Sequence, residues 1–473
     1  MAEMSRTALV LAAGEGTRMK SRRPKVLHQV CGKPMISWVL DAVEEVKDQG
    51  LVDRILVVIG AGAQEVRDVV GDRASCLLQE ERKGTGHAVM VAAPHIDEDE
   101  VLILTGDSPL MTSRTLSHLC ELHQAERPAV TLLAALFDDP TGYGRVIRDD
   151  DGEVLRIVEE TELTPEEKSV KEVNTSTYVF DWKALEEVLS DLSSDNAKGE
   201  FFLTDALELL AGGGGRIVAC TTPDCGEVLG VNSRVHLAQA EALMRERINN
   251  HWMEEGVTIE DPSSTYIGGD VEIGRDTLLR PLVMLEGRTV IGESCRLGPG
   301  VRIVDSRLGD KVAVEQATLR ECEVEDGVNV GPYASVRPGS LLRDGSKIGT
   351  FVETKKTILG KGSKVPHLSY MGDADIGDDV NVGAGSITCN YDGKEKHKTV
   401  IEDEAFIGSD TMFIAPVKIG KGAVTGAGSS INKDVPPGAL GVERSQQKNI
   451  LEWNKKKQKR SKKKEEGLEG DNP

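Results

Sequence analysis

Residues 266–303 read YIGGDVEIGRDTLLRPLVMLEGRTVIGESCRLGPGVRI. An aliphatic side chain returns at every sixth position: Ile267, Ile273, Leu279, Leu285, Ile291, Leu297 and Ile303. Glycine follows directly at Gly268, Gly274, Gly292 and Gly298. The register slips, then resumes at Val324, Val330, Val336, Leu342 and Ile348. It returns at Ile376 and Val382, each followed by glycine, and at Ile401, Ile407, Phe413, Ile419 and Ile431. A sustained aliphatic-glycine hexad is the mark of a parallel β-helix. Each hexad supplies one short strand and one turn, with the aliphatic residue pointing inward and the glycine relieving the corner. Three hexads close a triangular coil. About ten coils at the strand spacing would make a prism on the order of 45 Å long. Inserted residues between registers mark loops, the longest expected at Lys394 to Thr399.

Upstream of this repeat the pattern changes completely. Arg234 to Met253 reads as a long amphipathic helix, with Leu237, Ala240, Leu243, Met244, Arg247 and Ile248 at helical spacing. It serves as a connecting arm and is equally compatible with a last helix of the preceding domain. Before it, short apolar runs at Thr7 to Ala12, Arg54 to Ile59 and Val101 to Leu104 alternate with helical stretches such as Ile36 to Val46 and Ala88 to Ala93. Such alternation predicts an α/β domain: a mostly parallel, Rossmann-like sheet with helices on both faces. Ligands bind at the carboxyl ends of the strands in such sheets. The expected organisation is an α/β domain over 1–233, a helical arm over 234–255, a β-helix over 256–450, and a basic, disordered tail over 451–473.

A chain of 473 residues with 39% hydrophobic residues is long enough for two or three cores. Aromatics are only 4% and glycines number 50, which suits stacked coils and recurring turns. The net charge is −21, and the strong basic block, eight Lys and Arg between Lys455 and Lys464, lies in the tail. Without it the body is more acidic still, a poor nucleic-acid partner. Eight cysteines without a CxxC pair fit a reducing compartment and argue against a disulfide scaffold or a zinc site. No apolar run approaches a membrane span and the start of the chain lacks a signal-peptide pattern. These features predict a cytoplasmic protein that engages neither nucleic acid nor membrane.

The strongest chemical motif of the first half is LAAGEGTRMKSRRPKVL, residues 11–27. It is neither a Walker loop nor the dinucleotide GxGxxG. Gly14 and Gly16 let backbone N–H groups approach phosphate oxygens. Arg18 and Lys25 bring positive charge to a developing phosphoryl centre. An ordinary glycine turn flanked by solvated basic residues would share the spacing. LTGDSPL, residues 104–110, lies at a second strand end, where an aspartate is also a common turn residue.

The pattern LAAGxGTRM…PK, complete here from Leu11 to Lys25, resembles the opening of the sugar-nucleotide pyrophosphorylases. From about Ala8 to Arg444 the chain resembles the bacterial bifunctional N-acetylglucosamine-1-phosphate uridylyltransferase / glucosamine-1-phosphate acetyltransferase family. The resemblance implies that Leu11, Ala12, Ala13 and Gly14 contact a uridine nucleotide and that Lys25 meets its phosphates, with Arg18 stabilising them. Gln79, Gly84 and Thr85 would read uracil. Thr105, Gly106 and Asp107 form the acidic strand-end motif, with Asp107 and Asn232 as the protein ligands of a magnesium ion. Gly144, Glu159 and Asn174 would hold the sugar. Glu15 and Thr105 depart from common versions of the motif. Mg²⁺ accepts one carboxylate and one amide when phosphates complete its shell. A sugar-1-phosphate oxygen would then attack the α-phosphorus of UTP with pyrophosphate leaving, by positioning and charge neutralisation.

In the second half, VPHLSYMGDADIGDDVNVGAGSITCNYDGKEKHKT, residues 365–399, interrupts the repeat with polar residues that stacking does not need. The resemblance makes this domain a left-handed β-helix that assembles as a homotrimer, with the acetyltransferase site between subunits. It aligns His367 with the family's general base, which takes a proton as the glucosamine amine attacks acetyl-CoA. Imidazole suits that role because its ordinary pKa lies near working pH. Arg337, Lys355, Tyr370, Asn381 and Lys396 match the sugar-phosphate ligands. Ala384, Asn390, Tyr391, Ser409, Ala427 and Arg444 match acetyl-CoA positions. Solvated surface charge is the plain reading of the three cations, and their convergence would call for an anionic substrate. The implied product, UDP-N-acetylglucosamine, feeds bacterial cell-envelope polymers. Two rivals remain: the same domains acting on another sugar-1-phosphate or on dTTP, and a non-catalytic regulatory subunit in which the β-helix serves assembly.

Overall fold

The computed structural model describes residues 4–60, 62–196 and 199–468. By compactness the chain divides into two units, Met1–Val290 and Ile291–Pro473.

The strand Arg6–Ala12 is the centre of the first unit. Successive strand residues point to opposite faces, and here both faces are dry. Ala8, Val10 and Ala12 join a core with Ile36, Val39, Leu40, Leu116 and Leu119. Leu9 joins another with Ala88, Val89, Leu185 and Leu207. Helices therefore cover both faces: Met35–Asp48 and Ser113–Glu126 on one, Thr85–Ala92, Trp182–Leu189 and Asp205–Gly212 on the other. The sheet order is Ile217–Thr222, Val130–Leu136, Glu172–Asp181, Glu100–Thr105, Arg6–Ala12, Arg54–Ile59, Ser75–Leu78. Along it only Glu172–Asp181 pairs antiparallel with its neighbours. The mostly parallel α/β sheet expected from the alternation is what forms. At the far end of the strands Arg6 and Glu100 make a buried ion pair, beside a buried His123 that bonds Thr131.

The long helix expected from Arg234 to Met253 spans Arg234–Glu254. Ala240 and Met244 are buried, and Leu237 and Ile248 pack with them against Met19, Val30, Met35 and Leu110. Leu243 is 40% exposed, so the apolar stripe is narrower than its sequence pattern. Asn249, buried, donates to the carbonyls of Pro262 (2.9 Å) and Thr265 (3.3 Å). Gly269 N donates to Cys31 O at 3.0 Å, and Lys33 pairs with Asp270 at 3.2 Å. These bonds hold the strands Thr258–Ile259, Tyr266–Ile267 and Met284–Glu286 to the first unit. Compactness therefore carries residues 257–290 with that unit, where the period alone places a boundary at 256.

In the second unit short strands pair in parallel with the third strand after them, except at the end, where Val424–Thr425 pairs with the second, Leu440–Gly441. Arg296–Leu297 lies beside Ala313–Val314, Arg302–Val304 beside Thr318–Arg320, and Arg307–Leu308 beside Glu323–Val324. Three parallel ladders result, the sides of a hexapeptide-repeat β-helix. The aliphatic residues singled out by the period are all buried. The slip after Ile303 has a simple cause: the next inward residues are Leu308, Val314, Leu319 and Val324, so some sides are one residue shorter. Threonine replaces an aliphatic at the buried positions Thr354, Thr388 and Thr425. Their hydroxyls are satisfied within the coil, as where Thr388 Oγ1 accepts from Gly372 N at 2.7 Å.

Some glycines after the aliphatic take the left-handed region, as Gly298 does at φ +103, but others serve a different need. Gly292 and Gly377 are absent from the positive-φ glycines. A Cβ on Gly292 would lie 2.5 Å from Asp310 Oδ1, and one on Gly377 2.4 Å from Asp403 Oδ1. Those carboxylates accept backbone N–H groups of the preceding coil, Glu293 N at 2.8 Å and Asp378 N at 3.0 Å. At these two positions glycine is needed for room, because an aspartate of the next coil occupies the space.

The expected long loop leaves the ladder after Ile387–Cys389 and rejoins at Thr399–Ile401. Asp392 holds it, accepting from Lys394 N, Glu395 N and His397 Nε2. The tail corrects an expectation: residues Trp453–Leu468 form a helix instead of a disordered end. Lys, Arg and Gln are good helix formers, a propensity that the charge of the run conceals. Residues 469–473 of the tail lie outside the described residues. Among the described residues no helix is long and apolar enough to cross a membrane, and all eight cysteines are free.

Candidate active sites

The carboxyl ends of two adjacent strands carry the two motifs of the first unit. Arg6–Ala12 and Glu100–Thr105 pair with Leu11 opposite Thr105. Gly106 N donates to Leu11 O at 2.9 Å, which brings Asp107 beside the glycine loop. Asp107 O in turn accepts from Val231 N at 2.9 Å. Asn232 follows, just before the long helix that Ser233 caps by accepting from His236 N. Residues 107 and 232, distant in sequence, are thus set side by side by one backbone bond and one helix cap.

Lys25 closes this group. Its ammonium makes an ion pair with Asp107 Oδ2 and donates to Asn232 Oδ1 at 3.1 Å. The Lys25 and Asp107 side chains are only 12% and 11% exposed. Gly16, at φ +64, makes room for the lysine stem, since a Cβ there would meet Lys25 Cβ at 2.7 Å. Gly14, in contrast, is exposed and has nothing within 4 Å of the place a Cβ would take. Arg18 is exposed. A carboxylate oxygen and an amide oxygen converging on one ammonium is a donor set that suits a hard cation such as Mg²⁺. The two departures from the family motif are both engaged: Glu15 pairs with Arg82 at 2.7 Å, and Thr105 Oγ1 lies 3.0 Å from Ser108 Oγ.

On one flank Gln79 is buried, and its Nε2 contacts Gly84 O (3.2 Å) and His87 Nδ1 (2.9 Å). Gly84 adopts φ +97, and a Cβ there would strike Phe201 O at 2.5 Å. Thr85 Oγ1 accepts from Leu203 N at 3.1 Å. On the other flank Asn174 N donates to Gly144 O at 2.9 Å, and Asn174 Nδ2 donates to the Tyr178 hydroxyl at 2.7 Å. Burial pushes that phenol up, and Glu159 nearby adds to the shift.

Two residues here escaped the sequence reading. Thr204 stands at the N-cap of Asp205–Gly212, yet its side chain makes no cap bond. Its hydroxyl is buried without a hydrogen-bond partner among the described residues, a condition that calls for a ligand. Asp205 next to it is pushed up to about 6, by burial first and then by Glu162, Glu159 and Glu208. In sequence FLTDAL is an ordinary capping pattern, which hides the free hydroxyl.

In the second unit the polar residues line up along one corner of the coil. His367 is exposed, pairs in register with Thr350, and its carbonyl accepts from Gly385 N at 3.3 Å. Ala384 O accepts from Asp410 N and Ser409 O from Gly428 N, both at 2.8 Å. Arg444 Nη1 donates to Ala427 O at 3.0 Å. Successive coils thus stack His367, Ala384, Ser409 and Ala427, ending at Arg444. On the neighbouring side Lys355 is drawn down by its contact with Lys396, with Arg337 adding to the effect. Arg337 pairs with Glu353 at 2.6 Å and lies near Tyr370. Three cations do converge, as an anionic ligand would require. Asn390 is buried and donates to Asp373, which also faces Lys355. Tyr391 is 60% exposed, and Asn381 is half-buried opposite Lys364 and Phe406.

Known proteins are similar in sequence along nearly the whole chain. Residues 8–161 match the MobA-like NTP transferase domain, and residues 398–433 match the bacterial transferase hexapeptide repeat. "Bifunctional protein GlmU" of Heliobacterium modesticaldum is 52% identical over 445 residues, covering 94% of this chain and 96% of that one. The chain belongs to the bifunctional GlmU family. The relative of the same name in Thermoanaerobacter pseudethanolicus is 50% identical, with 94% and 96% covered. That in Halalkalibacterium halodurans is 48% identical, with 94% and 97% covered. The protein is therefore a bifunctional transferase, carrying a uridylyltransferase domain and a hexapeptide acetyltransferase domain that act on small sugar-phosphate substrates, with UTP and acetyl-CoA as co-substrates.

Proposed function

We propose that this enzyme makes UDP-N-acetylglucosamine in two separate sites. The site on the repeat acetylates glucosamine-1-phosphate, and the site of the α/β sheet then transfers uridylyl from UTP to the resulting N-acetylglucosamine-1-phosphate. The functional parts follow the sequence divisions: 1–233 for uridylyl transfer, the arm 234–255, 256–450 for acetyl transfer, and the basic end 451–473.

For uridylyl transfer the reading rests on the convergence of Lys25, Asp107 and Asn232. Asp107 and Asn232 would hold Mg²⁺, which when bound neutralises phosphate charge. Lys25 and Arg18 add positive charge for the triphosphate, and Leu11 to Gly14 cradle it along the open glycine loop. Gln79 Nε2 is engaged with Gly84 and His87, which turns its Oε1 into the acceptor that the imide N–H of uracil needs. Gly84 and Thr85 complete the base pocket. Gly144, Glu159, Asn174 and Thr204 offer the hydroxyl and amide partners for the sugar.

For acetyl transfer the reading rests on the corner line that begins at His367. His367 takes the proton from the amine as its nitrogen attacks the thioester carbonyl, and the CoA thiolate leaves. Arg337, Lys355 and Lys396 hold the sugar phosphate, with Tyr370 and Asn381 beside them. Ala384, Ser409 and Ala427 leave a low path for the pantetheine arm, with Asn390, Tyr391 and Arg444 around it. This half is open to solvent, and a homotrimer formed through the repeat would complete it. Exposed Tyr333, Phe351 and Leu368 support that assembly: each is apolar and each sits at positive φ, a costly choice for a bare surface. Free cysteines and acidity support a cytoplasmic setting.

Assay of both half-reactions separates the sites. His367→Ala should lower acetyl transfer by about 10²–10⁴-fold and spare uridylyl transfer, and Asp107→Ala should do the reverse. Loss of both activities in a folded single variant would overturn the two-site reading.

A further inference from the structure

We propose that the Lys25 ammonium and the divalent cation exchange at one position, so that metal and nucleotide enter the uridylyl site as a coupled pair. The inference rests on the uridylyl reading above and concerns what regulates metal entry there.

The geometry carries the argument. Lys25 Nζ engages the same two oxygens, Asp107 Oδ2 and Asn232 Oδ1, that would hold the metal. The contact is built in. Lys25 opens a short 3-10 turn at Lys25–Leu27 behind Pro24, and its stem is clamped against Gly16. The pair is nearly dry, so charge acts at short range with little screening. A divalent cation on Asp107 Oδ2 would sit within one atomic contact of the ammonium, and two cations at that separation repel strongly. The ammonium must therefore leave when the metal arrives.

It needs an anionic destination. The open surface over Gly14 lies two residues along the loop from Gly16, which Lys25 touches, and a triphosphate lying there would supply oxygens for Lys25 and complete the metal's shell. Metal alone must displace Lys25 without offering it a new partner. Metal with nucleotide moves Lys25 from carboxylate to phosphate and keeps every charge matched. Coupling of this kind is reciprocal: each ligand raises the affinity of the other by the same factor.

Direct Mn²⁺ binding by the full-length protein, followed by electron paramagnetic resonance or calorimetry without sugar phosphate, tests the exchange. Without nucleotide, Lys25→Met should bind Mn²⁺ at least about ten-fold tighter than wild type, the equivalent of one unit of log affinity. Lys25→Arg, which keeps the charge, should stay like wild type. Adding UTP should tighten Mn²⁺ much more in wild type than in Lys25→Met. Thermal unfolding offers a second readout: Mn²⁺ alone should raise the midpoint of Lys25→Met but not of wild type. Unchanged or weaker Mn²⁺ binding by Lys25→Met, or an equal effect of UTP in both proteins, would overturn the exchange. If instead Asp107→Asn keeps full Mn²⁺ affinity in the presence of UTP, the metal role of Asp107 fails, and the uridylyl reading with it.

Discussion

In the first unit the groups proposed for substrate are engaged with one another, whereas most of those proposed along the repeat corner face solvent. Lys25 lies against Asp107 in a nearly buried pair, and Gln79, Asn174 and Asp107 are all buried. His367, Lys396, Ser409 and Arg444 are exposed, and Lys355 faces the ammonium of Lys396 as well as the Asp373 carboxylate. The contrast follows from the folds. A doubly covered sheet brings strand ends and crossover loops together into a cleft within one chain. A β-helix has flat sides and a filled core, so its corner residues form a line with no opposite wall. The first site is thus made by one chain, and the second asks for another surface to close it.

The largest effect should come from separating the chains. If the open corner is closed by a partner copy, monomers prepared by dilution or mild denaturant should lose acetyl transfer by at least about 10²-fold, while uridylyl transfer stays. Sedimentation run beside both assays checks this. Acetyl transfer at full rate in monomers would remove the contrast altogether.

A smaller effect should attend the cation cluster. Replacing Lys396 by Met should raise KM for glucosamine-1-phosphate about 10–100-fold, as expected for losing a charge-assisted bond. The pH profile sharpens the point. Lys396 draws the Lys355 pKa down, and only the protonated amine holds phosphate. Binding by wild type should therefore weaken at lower pH than for an ordinary lysine. In Lys396→Met the same limb should move to higher pH.

The smallest effect concerns burial in the first site. Asp205 is pushed up to about 6, above its unfolded value. Between about pH 4 and 6 the folded chain keeps a proton that the unfolded chain releases. Stability should fall as pH rises through that window and stay lower above it. Asp205→Asn should escape the loss, gaining about 1 kcal/mol at pH 8, a figure reduced for partial exposure, and nothing at pH 4. Denaturant midpoints at the two pH values measure it.

Much of this architecture is legible in one dimension. Inward aliphatics at a period of six are a local property, because each coil repeats the contacts of the last, and every residue picked out by that period is buried. The glycine loop and the strand-end aspartate are local too. What failed was where local rules compete. The charge of the tail predicts disorder, whereas Trp453–Leu468 is helical. The period assigns Gly292 and Gly377 to a corner, whereas a carboxylate from the next coil occupies the space a Cβ would need. Thr204 was invisible because a capping threonine and an unpaired one look alike in sequence.

By itself, then, the sequence determined the two architectures, their order, and the residue types available for chemistry. Periodicity and glycine spacing act between near neighbours and survive being read in a line. Only the tertiary structure decided that Lys25, Asp107 and Asn232 meet, the outer two 207 positions apart in sequence, and that Lys355 faces Lys396. Those contacts depend on strand order, on coil stacking and on which backbone bonds bring distant segments side by side, and no local preference encodes them.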